Sequence, residues 1–273
     1  MRIAVTGGSG KLGAVVVEHL RDAGHDILNL DRVGAPGEGF LRVDFTDYGQ
    51  VVDALHEDGT FDAVVHLAAI PAGGIAPEVA TFENNMSSTF NVFQAARRAG
   101  VKTVVYASSE TLLGIPFEID PPYVPVDEQY DSRPESMYAV VKHLEEELAQ
   151  KLVRWDPSLS ITALRFSNVM VESDYSAFGS FTAESRKWNL WGYIDARDAA
   201  QAVLLSLTRN KPGFDRFIIA NSNTVLPDDN AALLAAHFPN VEVRGELGAN
   251  ETLLSIEKAR RELGYEPKFG WRG

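Results

Sequence analysis

Thr6-Gly7-Gly8-Ser9-Gly10-Lys11-Leu12-Gly13 closes the first apolar run of the chain, Arg2–Thr6. It opens a stretch in which Leu12, Val15, Val16, Leu20 and Ala23 recur at helical spacing. Glycines at Gly7, Gly10 and Gly13 allow a tight turn, close backbone approach to a pyrophosphate, and close helix–strand packing. The helix that follows turns its free N–H groups, Lys11 and Leu12 among the first residues, and its positive dipole end toward the same point. Such a glycine motif is common by itself. Here a strand precedes it, a helix follows it, and an acid, Asp31, stands at the end of the next strand. Together these read as a dinucleotide site. Asp31 would accept hydrogen bonds from ribose hydroxyls and repel a 2′-phosphate, which favours NAD over NADP. Arg32 cuts the other way, since it could grip a phosphate or stack on adenine. Asp44, ending a third run, could reach the adenine amino group or simply hold its own turn.

Outward from this motif the chain alternates short β-branched runs with amphipathic stretches. Strands are expected at Arg2–Thr6, Asp26–Leu30, Phe40–Val43, Ala63–Leu67, Thr103–Ser108 and Ser160–Phe166. Near-continuous apolar runs of this kind belong to a parallel sheet covered on both faces. Phe82–Ala99 and Met137–Arg154 read as long helices, and Gly24 and Gly100 sit where helix C-terminal glycines belong. The fold class is therefore α/β, a doubly wound parallel (Rossmann) sheet. After Asn168 the rhythm changes. Val169–Leu190 has no clear period and reads as a loop or lid. Helices are expected at Asp195–Thr208, Pro227–Phe238 and Ile256–Leu263, with a strand at Arg216–Ala220. The division expected is residues 1–167 as the nucleotide-binding part and 168–273 as a small substrate lobe interleaved with the main sheet. The Glu145-Glu146-Glu147 run reads as the solvated face of its helix.

Composition narrows the classes. The chain has 273 residues, 38 acidic against 25 basic, and a formal charge of −13. Such a surface repels phosphate backbones and anionic lipid, so nucleic acid and membranes are not expected partners. There are no cysteines, which removes thiolate metal sites and a cysteine nucleophile. The six histidines form no metal-spaced cluster, and no metal is expected. The opening Ile3-Ala4-Val5 is too short for a signal peptide, which makes a cytoplasmic protein the expectation.

Tyr138-Ala139-Val140-Val141-Lys142 puts a phenol and an ammonium one helical turn apart on one face. A phenol ionises near pH ~10, so it is a poor base at neutrality. A neighbouring ammonium favours the phenolate. Bringing it near neutrality takes about 4 kcal/mol of differential stabilisation, plausible in a partly dry cleft. Ser108-Ser109-Glu110-Thr111 ends the fifth strand, and the carboxyl ends of strands in an open α/β sheet form the ligand crevice. A serine hydroxyl there can bond a substrate oxygen beside the tyrosine.

The set Thr6–Gly13, Asp31, Asp44, His66-Leu67-Ala68-Ala69, Asn84-Asn85, Ser108-Ser109, Tyr138/Lys142, Arg165–Asn168 and Tyr193-Ile194-Asp195 resembles the extended short-chain dehydrogenase/reductase superfamily, in its NAD-dependent epimerase/dehydratase branch. The resemblance implies that Tyr138 is general base or acid, that Lys142 holds the nicotinamide ribose and tunes the tyrosine, and that Ser109 orients the substrate. It implies a cofactor cleft including Phe45, Leu67, Ala68, Ala69, Asn84, Asn85, Ser108 and Phe166. His66 is expected to be structural. Ile70, Glu110, Thr111, Asn168 and Arg186 are the substrate-side candidates. The resemblance also implies a homodimer formed through the helices carrying Tyr138 and Asn84.

Three departures shape the expected activity. The Asp-Glu pair of the dehydratases is replaced by Glu110-Thr111, so one carboxylate of the eliminating pair is missing. Only Val169–Gly192 separates Asn168 from Tyr193, where nucleotide-sugar epimerases carry a longer segment. The compact layout resembles the uronate dehydrogenases, whose corresponding segment carries an arginine for the sugar carboxylate; Arg186 falls there. The expected function is accordingly oxidation of a sugar, sugar acid or related polyol by hydride transfer to NAD, with NADP the lesser candidate. The alternative is a nucleotide-sugar epimerase that reduces NAD transiently. A dinucleotide sensor without catalysis is the third reading, opposed by the intact Ser109, Tyr138 and Lys142.

Overall fold

The computed structural model describes residues 1–35, 37, 39–56, 59–209 and 211–272. The first half runs β1 (Arg2–Thr6), α1 (Lys11–Asp22), β2 (Asp26–Asp31), β3 (Phe40–Arg42), α2 (Tyr48–His56), β4 (Ala63–His66), α3 (Glu78–Arg98) and β5 (Thr103–Ser109). The second half runs β6 (Tyr123–Val124), α4 (Met137–Trp155), β7 (Ser160–Phe166), β8 (Val169–Met170), α5 (Ala183–Arg186), β9 (Ile194–Asp195), α6 (Ala196–Thr208), β10 (Gly213–Ile219), α7 (Asn230–His237), β11 (Glu242–Val243) and α8 (Glu257–Leu263).

Seven strands form one sheet in the order β10-β7-β5-β4-β1-β2-β3, and every pairing is parallel. The order reverses between β1 and β4, and that is where a ligand crevice opens above the strand ends. Two apolar clusters cover the two faces. One holds Val16, Val17 and Leu20 of α1 against Ile3 and Val5. The other holds Val92, Phe93 and Ala96 of α3 against Ala4, Val64 and Val104. Burial on both faces explains why these strands read as unbroken apolar runs. The fold is the Rossmann-like α/β arrangement expected of the sequence.

Several local expectations change. The strand expected at Arg216–Ala220 spans Gly213–Ile219 and is the edge strand of the main sheet, paired with β7. Helix α2 was not among the expected elements; it buries Val51, Ala54 and Leu55. The segment expected as a loop or lid is built of short helical turns around a β8–β9 pair, and it buries Phe178, Arg186 and Asn189. Most instructive is α4. Glu145 and Glu146 do not face solvent: they are 0% and 2% exposed. Each is buried with a cation, Lys142 for the first and Arg165 for the second, which offsets the cost of removing a carboxylate from water. Among the described residues no helix is long and apolar enough to cross a membrane.

Candidate active site

A cleft of about 720 Å³ lies over the strand ends at the reversal point. Its floor at one end is the glycine turn. Gly7 has φ +72°, and a Cβ there would lie 2.6 Å from the Ala68 nitrogen. A Cβ on Gly13 would lie 2.0 Å from the Gly7 carbonyl oxygen. Only hydrogen fits at either place, which lets α1 start directly behind the turn. α1 has no side-chain cap on its first N–H groups and no acid in its first turn. Those donors are thus left for an anion. Asp31 accepts the Ser9 N–H at 2.9 Å, fastening the end of β2 to the turn. Arg32 donates to Asn84 at 3.3 Å across the cleft. A turn with an open helix N-terminus, a carboxylate at the end of β2 and a cleft continuing past both fits NAD.

Gly10, Lys11, Leu12, Phe45, Leu67, Ala68 and Ala69 line the same space, as do Asn84, Ser108 and Phe166. Two expected cofactor residues stand off it. The Asp44 carboxylate accepts from the Thr46 N–H at 3.0 Å and its hydroxyl at 2.7 Å, so it is the local turn acid. Asn85 is fully buried and clamps the main chain of Ile70, accepting its N–H at 2.7 Å and donating to its carbonyl at 3.0 Å. It shapes the wall without reaching the cavity.

At the other end Ser109, Tyr138 and Lys142 converge. β5 delivers Ser109 at its last position, and the Ser136 hydroxyl caps α4 just before Tyr138, accepting the Ala139 N–H at 3.2 Å. Ser109 Oγ accepts from the Thr111 N–H at 3.1 Å and from its hydroxyl at 2.9 Å, which leaves the Ser109 proton for the Tyr138 oxygen beside it. Lys142 Nζ stands 5.8 Å from the Tyr138 ring centre and donates to the Ala107 carbonyl at 2.8 Å. Burial raises the Tyr138 phenol, Lys142 lowers it, and without a cofactor burial prevails.

Glu110, Thr111, Ile70 and Asn168, expected as substrate-side residues, also line the cleft. Burial lifts the Glu110 carboxyl to about 7, although Ser167 at 2.6 Å and Asn189 at 3.1 Å donate to it. Arg186 is not a free carboxylate grip. Its guanidinium donates to Asn168 at 3.2 Å and to the Gly192 carbonyl at 2.8 Å, sits 5.0 Å from the ring centres of both Phe181 and Trp188, and does not line the cleft. Trp188 presents its indole to the cleft instead, and it was missed in sequence because its segment has no period. Ser9 and Ser88 were missed as well. The cations lining the cleft, among the described residues, are Lys11, Arg32 and Lys142; Lys11 pairs with Asp174 at 2.6 Å.

A model of the NAD-dependent epimerase/dehydratase family matches residues 3–221. The UDP-glucose 4-epimerase of Corynebacterium glutamicum is 25% identical over 311 aligned positions, covering 98% of this chain and 91% of that one. The UDP-glucose 4-epimerase of Bacillus subtilis is 29% identical over 183 positions, and there the match takes in 62% of this chain and about half of the relative, 52%. A crystal structure of the UDP-glucose 4-epimerase of Stenotrophomonas maltophila, with NAD and formylated UDP-arabinopyranose bound, superposes with a TM-score of 0.76 at 21% identity, over 99% of this chain and 94% of that one. At that identity the likeness speaks for the fold.

Proposed function

The chain belongs to the NAD-dependent epimerase/dehydratase family, and we propose that it acts on a secondary hydroxyl of a sugar through Tyr138, Ser109 and Lys142. The observation that carries this reading is the convergence of those three side chains at the far end of a cleft floored by the glycine turn. NAD in that cleft supplies a hydride acceptor that can also return the hydride, which an epimerase requires and a dehydrogenase does not. Gly7, Gly10, Leu12 and Gly13 would hold its pyrophosphate, and Asp31 its adenosine ribose.

The chain's own part is proton transfer and orientation. Tyr138 as phenolate takes the proton of the sugar hydroxyl while the adjacent C–H bond breaks. With the sugar bound, Ser109 would turn its one proton from the Tyr138 oxygen to the sugar oxygen and fix its direction. Lys142, together with the positive nicotinamide ring of bound NAD, would favour the phenolate against the burial that raises it. The gain comes from placing groups and from fixed charge at the developing oxyanion. Glu110, neutral or ionised near pH 7, is suited to hold a neighbouring hydroxyl as donor or acceptor. Residues 1–167 would carry the nucleotide, and 168–273 the substrate face through Asn168 and Trp188.

Of the two outcomes open to this chemistry, epimerisation has the support of the relatives, which are UDP-glucose 4-epimerases. Net oxidation of a free, uncharged sugar is the second reading. It is favoured by one observation: the described residues at the substrate end, Ile70, Glu110, Thr111, Asn168 and Trp188, include no cation for a nucleotide diphosphate or a sugar carboxylate. The separating experiment incubates the protein with UDP-glucose and catalytic NAD, then with free sugars and stoichiometric NAD. Formation of UDP-galactose without accumulating NADH supports the first reading. Accumulating NADH with a free sugar alone replaces it by the second.

A further inference from the structure

Behind the catalytic face of α4 lies a buried line of polar groups that the proposed chemistry does not use. Glu145, one turn beyond Lys142, has no solvent exposure. Its Oε2 accepts from Lys142 Nζ at 2.9 Å, and its Oε1 accepts from the Thr89 hydroxyl of α3 at 2.7 Å. Thr89 has then given its only proton, so its contact with His66 Nε2 at 3.0 Å requires the ring to donate. That sets the Nε2–H tautomer and leaves Nδ1 to accept from the Thr6 hydroxyl at 2.7 Å. Thr6 Oγ1 in turn accepts from the N–H groups of Leu67 and Ala68, both at 3.2 Å.

Every proton in this line is assigned by its neighbour, and all of them point the same way. The line starts at the strand ends flanking the glycine turn and finishes on the carboxylate beneath the ammonium. Lys142 spends one proton on Glu145 and one on Ala107, leaving the third for the cleft.

We propose that Glu145 is a positioning residue for Lys142, its buried counterion, and that the line Glu145–Thr89–His66–Thr6 ties the ammonium to the wall of the cofactor cleft while drawing off part of its field at Tyr138. This rests on the reading in which Lys142 supports the tyrosine. The groups that bear on this pair are Glu145 and Glu146 on α4, His66 on β4 and Glu110 after β5. Glu146 is already neutralised by Arg165, and burial keeps His66 neutral. Glu145 is therefore the carboxylate whose removal most changes the potential the phenol feels.

The test needs neither substrate nor cofactor. The phenolate absorbance of the protein minus that of Tyr138→Phe follows the titration of Tyr138 alone. In an E145Q background the buried ammonium of Lys142 loses its counterion while the phenol loses a like charge beside it, so the midpoint of Tyr138 moves by about one pH unit. Thr89→Val keeps the carboxylate but strips its second donor, so the full charge bears on Lys142 and the midpoint rises. Should E145Q fail to fold, the Thr89→Val rise carries the test. Midpoints unmoved in the folded variants overturn the proposal. Failure of the functional reading shows differently, as unchanged turnover in Tyr138→Phe, whatever the titration does.

Discussion

Arg165 and Glu146 face one another inside the molecule, with Nε and Nη2 donating to the two carboxylate oxygens at 2.9 and 2.7 Å. They are 1% and 2% exposed, and Ser108 donates to the same carboxylate at 2.7 Å. The pair rivets α4 to β5 and β7, the two strands that end at the site. Removing one partner leaves an uncompensated buried charge. Glu146→Ala should lower the unfolding free energy by about 3–5 kcal/mol. A double change, Glu146→Leu with Arg165→Met, should recover much of that. Urea unfolding of the three proteins checks both statements.

Gly13 gives a second expectation. A Cβ there would lie 2.0 Å from the Gly7 carbonyl oxygen, so only glycine lets α1 begin this close to the turn. Gly13→Ala must push the helix start off the turn, and with it the N–H groups left for a pyrophosphate. NAD affinity measured by calorimetry should fall at least tenfold. The phenol of Tyr138, remote from the turn, should titrate as before.

Glu110 makes stability depend on pH. Its folded value of about 7 lies above the 4.5 of an ordinary glutamate. A raised carboxyl binds its proton more tightly when folded, so its contribution is complete below pH ~4.5 and is lost as pH rises to about 7, on the order of 3 kcal/mol. Other carboxylates, such as Asp156, are held low by hydrogen bonds and act in the opposite sense. The clean quantity is therefore the difference between wild type and Glu110→Gln. Urea midpoints of the two should diverge on going from pH 5 to pH 8, with the variant gaining relative to wild type.

His66 acts at the acid end. Burial holds its ring at about 3 in the folded protein. A depressed value means that the unfolded chain takes up the proton first, so stability is present above pH ~6.5 and drains as pH falls toward 3. His66→Gln should flatten the acid unfolding curve over that range.

How far these features were legible varies with how local their cause is. The glycine turn, Asp31 and the six apolar runs state themselves within a few residues, because tight backbone approach and two-sided burial leave a mark at each position. Tyr138 and Lys142 were readable as a helical pair. Glu145 and Glu146 were not, since their partners Thr89 and Arg165 stand 56 and 19 residues away. A run of three glutamates looks like a wet face until those partners are known. Arg186 was read as a carboxylate grip because the residues that occupy it, Asn168 and Gly192, are brought to it only by the folded turns of 172–189. Trp188, which does face the cleft, was hidden by the same lack of period. Asp44 and Asn85 carried the right chemistry, and the chain spends it on its own backbone.

The claim on which the rest depends is that the Tyr138 oxygen moves the proton of the sugar hydroxyl. Turnover of UDP-glucose, or of the free sugar that gives NADH, is the measurement to make on wild type and Tyr138→Phe side by side, with NAD affinity recorded for each. The account predicts a fall in kcat of about 10²–10⁴ with NAD affinity held within twofold. Turnover that survives the loss of the phenol oxygen would contradict it.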